Sequence, residues 1–272
     1  MSFIKLLHFE MKRIWKAYVL LVLLVTVMQL VSIWIASRNR VANLEASAKQ
    51  QGLTLDQLGR DYSFDGAELF NSLPIIGSIM LSIAVLLIYM LLIWYRDWFG
   101  KNTVIYRLLM LPTNRASLYF AKLITIFSLV LGLLSLQILL IIAGVSIATS
   151  IIPTNFFYHS LSVTSVIQYG GPFSIFLPST PLFFVLVYGL GFTFLSVVFT
   201  AILLERSFRI KGLVFGAMYL AFIFTVFISI LEMSSTYFFF SETLLVIAAT
   251  GVIILVLSIW LSIYFLQKKV TV

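Results

Sequence analysis

The chain has 272 residues, of which 61% are apolar and 10% charged, with a mean hydropathy of +1.10 and a net charge of +8. Soluble domains carry about 25% charged residues, and here apolar runs of about 20 residues recur, the length that crosses about 30 Å of hydrocarbon as helix. With no series of short alternating strands to suggest a β-barrel, the expected fold class is an all-α integral membrane protein with six transmembrane helices forming a single transmembrane domain, 1–272.

Residues 2–16, SFIKLLHFEMKRIWK, place Lys5, His8, Lys12 and Lys16 on one helical stripe and Ile4, Leu7, Met11 and Ile14 on another, the pattern of a helix lying at a membrane surface. The first span, 17–36, follows. Its apolar stretch of about 20 residues exceeds the roughly 7–15 of a secretory signal and IWIASRNR is a poor cleavage site, so a retained anchor is expected. Residues 37–72 read as an external loop with two short helices, VANLEASAKQ and LTLDQLGRD, the second opened by a capping box of Thr54 and Gln57; the loop either caps a path or is a solvated linker. The second span covers 73–95 and the cytoplasmic segment 96–116. The third span, 117–150, is overlong and must tilt or project beyond the bilayer. Residues 151–180 carry no charge but hold Pro153, Gly170, Gly171, Pro172 and Pro178 among Phe and Tyr. They are too apolar for a free loop and too broken for a span, so a half-inserted or protein-covered external segment is expected. Spans 181–204, 212–231 and 243–266 complete the six. Gly212 and Gly216 form a GxxxG that suits close packing at a dimer or intramolecular contact.

Cations set the orientation. Fourteen of the 18 Lys and Arg fall in the N-terminal, 96–122, 206–211 and C-terminal segments, which places both termini in the cytoplasm. Because the positive charge is dispersed over four segments, it is read as topology and not as a nucleic-acid footprint. Trp15, Trp34, Trp94, Trp98 and Trp260 lie at or near span ends, where indole prefers the headgroup level.

The chemical inventory is sparse. The chain has no cysteine and two histidines; His8 and His159 lie on opposite sides, so no metal site is expected. No span carries an ionisable residue in its interior, which argues against an ion-coupled carrier or an intramembrane enzyme. Gln29 and Gln137 are the strongest buried polar groups, with Thr26, Ser32, Ser128 and Ser135 on the same spans; they serve interhelical hydrogen bonds or line a path suited to an apolar or amphipathic cargo. No G-x-x-x-x-G-K-[ST] motif occurs, so no nucleotide or other cofactor is expected in this chain and any ATP-driven work must come from a separate subunit.

The 27 residues RDWFGKNTVIYRLLMLPTNRASLYFAK, Arg96 to Lys122, are the long polar interruption on the cytoplasmic side. Asn102 or Thr103 can cap a short helix with an apolar face of Val104, Ile105, Leu108 and Leu109, Arg107 opposite, and Pro112 at its end. About ten residues make a rod of roughly 15 Å, fitted to lie at the surface. By pattern alone this is either a connector or a docking element.

In Asp97, Gly100, Thr103, Leu108, Leu109, Leu111, Pro112, Arg115 and Lys122 the segment resembles the ABC-2 type permeases, membrane halves of bacterial ATP-binding-cassette exporters; Lys101 and Asn102 separate the Gly and Thr that are adjacent in that family. The resemblance implies ATPase coupling through Asn102, Thr103, Val104, Ile105, Arg107, Leu108, Leu109, Pro112 and Arg115, and an elbow helix over 1–16 carrying Lys5, His8, Lys12 and Lys16. It implies ATP-binding-cassette ATPase subunits that hold ATP and Mg, a second permease subunit, identical or related, and a multi-pass location in a bacterial cell membrane. Gln29 and Gln137 are then the pathway candidates. The expected cargo is an antimicrobial or cytolytic peptide first, then a hydrophobic drug or lipid-linked molecule. The alternative is a non-transporting sensor, scaffold or immunity protein that binds a peptide or partner.

Overall fold

A computed structural model describes residues 3–52, 63–98, 115–208 and 210–268. The expected helix LTLDQLGRD with its Thr54 and Gln57 capping box, and the coupling residues Asn102 to Pro112, lie outside the described residues.

The first helix, α1, runs from Phe3 to Gln51 without a break. Its 49 residues make a rod of about 74 Å, so the helix continues without a break from the N-terminal stripe through 17–36 to Gln51. The physical reason is in the residues: neither Gly nor Pro occurs between Phe3 and Gln51, so nothing interrupts the hydrogen-bond ladder when the pattern changes from amphipathic to apolar to polar. Gly52, at φ +67°, stops it in the left-handed conformation that other residues avoid.

Helix α2 spans Leu73–Trp98 with Pro74 in its first turn, and α3 spans Arg115–Ile151, 37 residues or about 55 Å. Two short helices follow, α4 over Val163–Tyr169 and α5 over Pro172–Phe176. Three long ones complete the chain: α6 over Pro181–Phe208, α7 over Ile210–Tyr237 and α8 over Phe240–Lys268. Among the described residues six helices are long and apolar enough to cross a membrane, and the protein is a multi-pass, all-helical membrane protein.

The chain divides into two compact units. One comprises Ile14–Leu86 and Leu129–Phe184. Its core joins Ile33 of α1, Ile75 of α2 and Ile141 of α3 to Phe70, Phe156 and Phe173 from the connecting segments. Residues 151–180 contribute Phe156, Val166, Phe173 and Leu177 to this core, while Tyr158, Tyr169 and Ile175 are exposed. A bridge between Phe64 and Phe157 fastens the two connections, with the Phe64 amide donating to the Phe156 carbonyl and the Tyr158 amide to the Phe64 carbonyl, each at 2.9 Å. Ser162 and Ser165 close a capping box at the start of α4. Gly171 turns the chain into α5 at φ +64°, and a Cβ there would stand 2.5 Å from Asn71 Oδ1.

The other unit comprises Met1–Arg13, Leu87–Ser128 and Val185–Val272. Within it a buried polar seam joins α6 to α8. The Thr200 hydroxyl lies 3.0 Å from the Ser258 carbonyl and 2.8 Å from the Ser262 hydroxyl, and Tyr219 of α7 reaches the Ser258 hydroxyl at 2.8 Å. The GxxxG is an intramolecular contact: a Cβ at Gly216 would stand 2.9 Å from the Ala201 carbonyl, and one at Gly212 would strike the backbone of Leu204 and Glu205. Small residues let α7 approach the backbone of α6.

Candidate functional site

Three helix segments of the unit containing both ends of the chain each contribute buried ionisable groups. On α1 up to Arg13 the buried residues are Leu6 and Glu10, one per turn, while Ile4 of the apolar stripe is 72% exposed. The covered face coincides with the apolar stripe only in part, Ile14 of that stripe being buried, and among the residues it hides is a carboxylate. At the end of α2, Ile93, Trp94 and Asp97 are buried, and at the start of α3, Leu118, Tyr119, Ala121, Lys122 and Thr125. Each set recurs at three or four residues, one face of a helix.

These faces converge on Lys122. Its ammonium donates to Glu10 Oε1 at 2.9 Å, to the Ile93 carbonyl at 2.9 Å and to Asp97 Oδ2. Three donors meet three acceptors, which is the full capacity of an ammonium. Arg13 Nη1 donates to the other Asp97 oxygen at 2.5 Å and stands 3.8 Å from Glu10 Oε2, while Arg96 Nη2 lies 3.5 Å from the same Glu10 oxygen. The Trp94 ring centre lies 5.2 Å from the Lys122 ammonium, within cation–π range. Phe199 stands edge-on to both Trp94 and Tyr119 and closes the apolar floor.

Burying a lone ammonium or carboxylate costs several kcal/mol, and the cost is met only when all charges are paired and all donors used. Lys122, Asp97 and Glu10 are fully or almost fully covered, while Arg13 and Arg96 keep partial exposure. With three cations and two carboxylates, the surplus positive charge therefore sits on the two arginines at the rim.

The expectation that no span carries an ionisable residue in its interior overlooks one within 117–150. Lys122 is the eighth residue of α3 and fully buried. A hydropathy window assigns charges within a turn or two of a span end to the interface and does not see which face they occupy. Glu10 is absent from the residues that the sequence pattern marks. The available signal was its isolation, a single acid among Lys5, Lys12, Arg13 and Lys16. Trp94 is likewise corrected: it is buried against Lys122 and does not face headgroups, whereas Trp15, Trp34 and Trp260 are exposed.

Two further contacts hold the same neighbourhood. Tyr95 of α2 donates to Glu205 of α6, with the Arg206 guanidinium 4.8 Å from the centre of the Tyr95 ring. Arg115, the coupling candidate within the described residues, donates from Nη1 to the carbonyls of Leu266 at 2.7 Å and Gln267 at 3.4 Å. It thereby serves the unpaired carbonyls at the end of α8. The segment 99–114 is thus flanked by anchored residues, Tyr95 and Asp97 before it and Arg115 and Lys122 after it.

The remaining candidates lie apart from this cluster. Lys5, His8, Lys12 and Lys16 are all exposed along α1. Gln29 is buried and donates to the Ser78 hydroxyl at 2.8 Å, and Ser32 meets Ser72 at 2.9 Å; within the other unit the first joins α1 to α2 and the second joins α1 to the residue that precedes α2. Gln137 is half-buried, and its side-chain oxygen has no partner among the described residues. No group of acidic or His side chains fit for a metal occurs among the described residues. Comparison of the chain with protein-family models, with curated proteins and with solved structures returns no match.

Proposed function

We propose that this protein is the membrane-spanning permease subunit of an ATP-driven exporter of the ABC-2 type, moving an apolar or amphipathic cargo with energy from a separate ATPase subunit. The observation that carries the reading is the pinning of both flanks of segment 99–114: Asp97 and Lys122 share one buried ion cluster with Glu10. A force applied to a short cytoplasmic helix is useful only if its two ends are rigidly joined to helices that cross the membrane. Paired buried charges give that rigidity, since pulling one partner away leaves the other uncompensated.

In this reading the ATPase grips Val104, Ile105, Arg107, Leu108 and Leu109. Asp97 and Arg13 carry the displacement to α1, Lys122 carries it to α3, and Tyr95 with Glu205 carries it to α6. Two such subunits, identical or paired with a related permease, would work with two ATPases that hold ATP and Mg, in a bacterial cell membrane with both termini cytoplasmic. A path whose ionisable groups gather at one end suits an amphipathic peptide, a hydrophobic drug or a lipid-linked molecule.

The test has two arms. Purification from native membranes brings down an ATP-binding-cassette subunit, and Arg107→Glu with Leu108→Asp abolishes cargo-stimulated ATPase activity and export while the protein remains folded. A purified protein that never associates with such a subunit supports the alternative, a non-transporting sensor, scaffold or immunity protein.

A further inference from the structure

In the unit built from Ile14–Leu86 and Leu129–Phe184, an open groove of about 520 Å³ lies between α1 and the end of α3. Arg38, Val41, Ala42 and Glu45 line it from α1, and Ser150 and Ile151 from α3. These four stand at i, i+3, i+4 and i+7 and so share one face, with Asn39 of α1 beside them. Arg38 and Glu45 are two turns apart, about 10 Å along the axis, with the small side chain of Ala42 leaving the space between them open. Among the described residues neither makes an ion pair, and the Arg38 guanidinium lies 5.8 Å from the centre of the Trp34 ring.

Position and charge together restrict the occupant. Trp34 is half-exposed and lies two residues from the end of the apolar run 17–36 of α1, and such a tryptophan sits at the headgroup level of a bilayer. The groove begins one helical turn beyond it. A ligand there meets a cation at one end, a carboxylate at the other, and a hydroxyl and an amide, Ser150 and Asn39, along the walls. Its volume lies within the range of small-molecule sites, roughly 300–1,000 Å³.

We infer that the groove lined by Arg38, Glu45 and Ser150 binds a zwitterionic phospholipid headgroup, with the phosphate on Arg38 and a primary ammonium on Glu45. Guanidinium matches phosphate through paired N–H donors, and a carboxylate accepts the hydrogens that an ammonium carries. The two-carbon spacer of phosphoethanolamine separates its charges in the sense in which the helix separates Arg38 from Glu45. The inference does not depend on the exporter reading.

Native mass spectrometry of the purified, delipidated full chain tests it, with phosphatidylethanolamine and phosphatidylglycerol added at equal concentration. Phosphatidylethanolamine is expected to be retained in preference. Arg38→Gln should lower its retention about fivefold, the weight of one partly solvated ion pair, and Arg38→Lys should restore most of it. Glu45→Gln should reduce phosphatidylethanolamine to the level of phosphatidylglycerol, because only the ammonium contact is lost. Equal retention of the two lipids by the unaltered protein, or indifference to both substitutions at unchanged helical content, overturns the proposal. Displacement of the lipid by soluble phosphoethanolamine at matching concentration also overturns it, since the occupant would then be a free phosphate ester and not a membrane lipid.

Discussion

Lys122 and Glu10, 112 residues apart in the chain, meet at 2.9 Å with both side chains closed off from solvent. That contact joins α1 to α3, and through Asp97 the same ammonium holds α2. Three helices are thus fixed to one another by a single side chain. Because each buried charge depends on the others, the cluster should respond sharply to removal of any one of them.

Lys122→Met removes the ammonium and leaves Glu10 with only its longer contacts to Arg13 and Arg96. A loss of about 3–5 kcal/mol is expected, the usual cost of breaking a buried pair from one side. Glu10→Gln leaves Lys122 its Asp97 and Ile93 partners and should cost less, about 1–3 kcal/mol. Denaturant unfolding of both variants in detergent micelles measures the difference, and equal losses would show that Lys122 does not organise the cluster.

Gln29→Leu deletes the interhelical bond to Ser78. Hydrogen bonds between membrane helices average about 0.6 kcal/mol and reach about 1.7, so a loss in that range is expected. A double-mutant cycle with Ser78→Ala isolates the pair; a coupling energy of zero would mean that Gln29 serves something other than this contact.

Gly216→Val places a branched side chain where Cβ alone would stand 2.9 Å from the Ala201 carbonyl. The obstacle is backbone and cannot rotate aside, so α7 must move away from α6. A destabilisation of about 1–3 kcal/mol is expected from the overpacking. Gly189→Val is the control, because nothing lies within 4 Å of its Cβ position. Thermal unfolding of the two variants should separate them.

Arg115→Ala withdraws the donor that serves the Leu266 and Gln267 carbonyls. The last turn of α8 should fray, at a cost of about 1.5–3 kcal/mol for a hydrogen bond to a charged group. Hydrogen exchange of the amides in 264–268 is the measurement, with faster exchange confined to that turn. Unchanged protection there would assign Arg115 a role elsewhere.

Much of the helical frame was legible because it depends on composition along the chain. The six long helices overlap the six apolar runs, and the Gly212 and Gly216 spacing marked a close approach. The continuity of α1 was also written in the residues, in the lack of Gly and Pro from Phe3 to Gln51, but the change of pattern at Ala17 and Ser37 suggested boundaries that the backbone ignores. Over 3–16 the apolar and buried faces coincide only in part: Leu6, Glu10 and Ile14 turn inward while Ile4 turns out. An exposed isoleucine is inexpensive next to lipid, so hydrophobicity there does not report burial. Asp97 and Lys122 are marked only through a family resemblance, and Glu10 only by its isolation among cations.

The sequence by itself determined that this is a helical membrane protein, roughly where its spans lie, and that it holds no cysteine chemistry and no P-loop. Each of these follows from residue types counted along a line. Only the tertiary structure decided that Glu10, Asp97 and Lys122 are neighbours, that Gln29 spends its amide on Ser78, that the GxxxG faces α6, and that residues 151–180 complete a core. Those relationships depend on which faces of which helices meet. A buried ion pair is stable only through partners distant in sequence, so its members individually look like ordinary charges at the ends of spans.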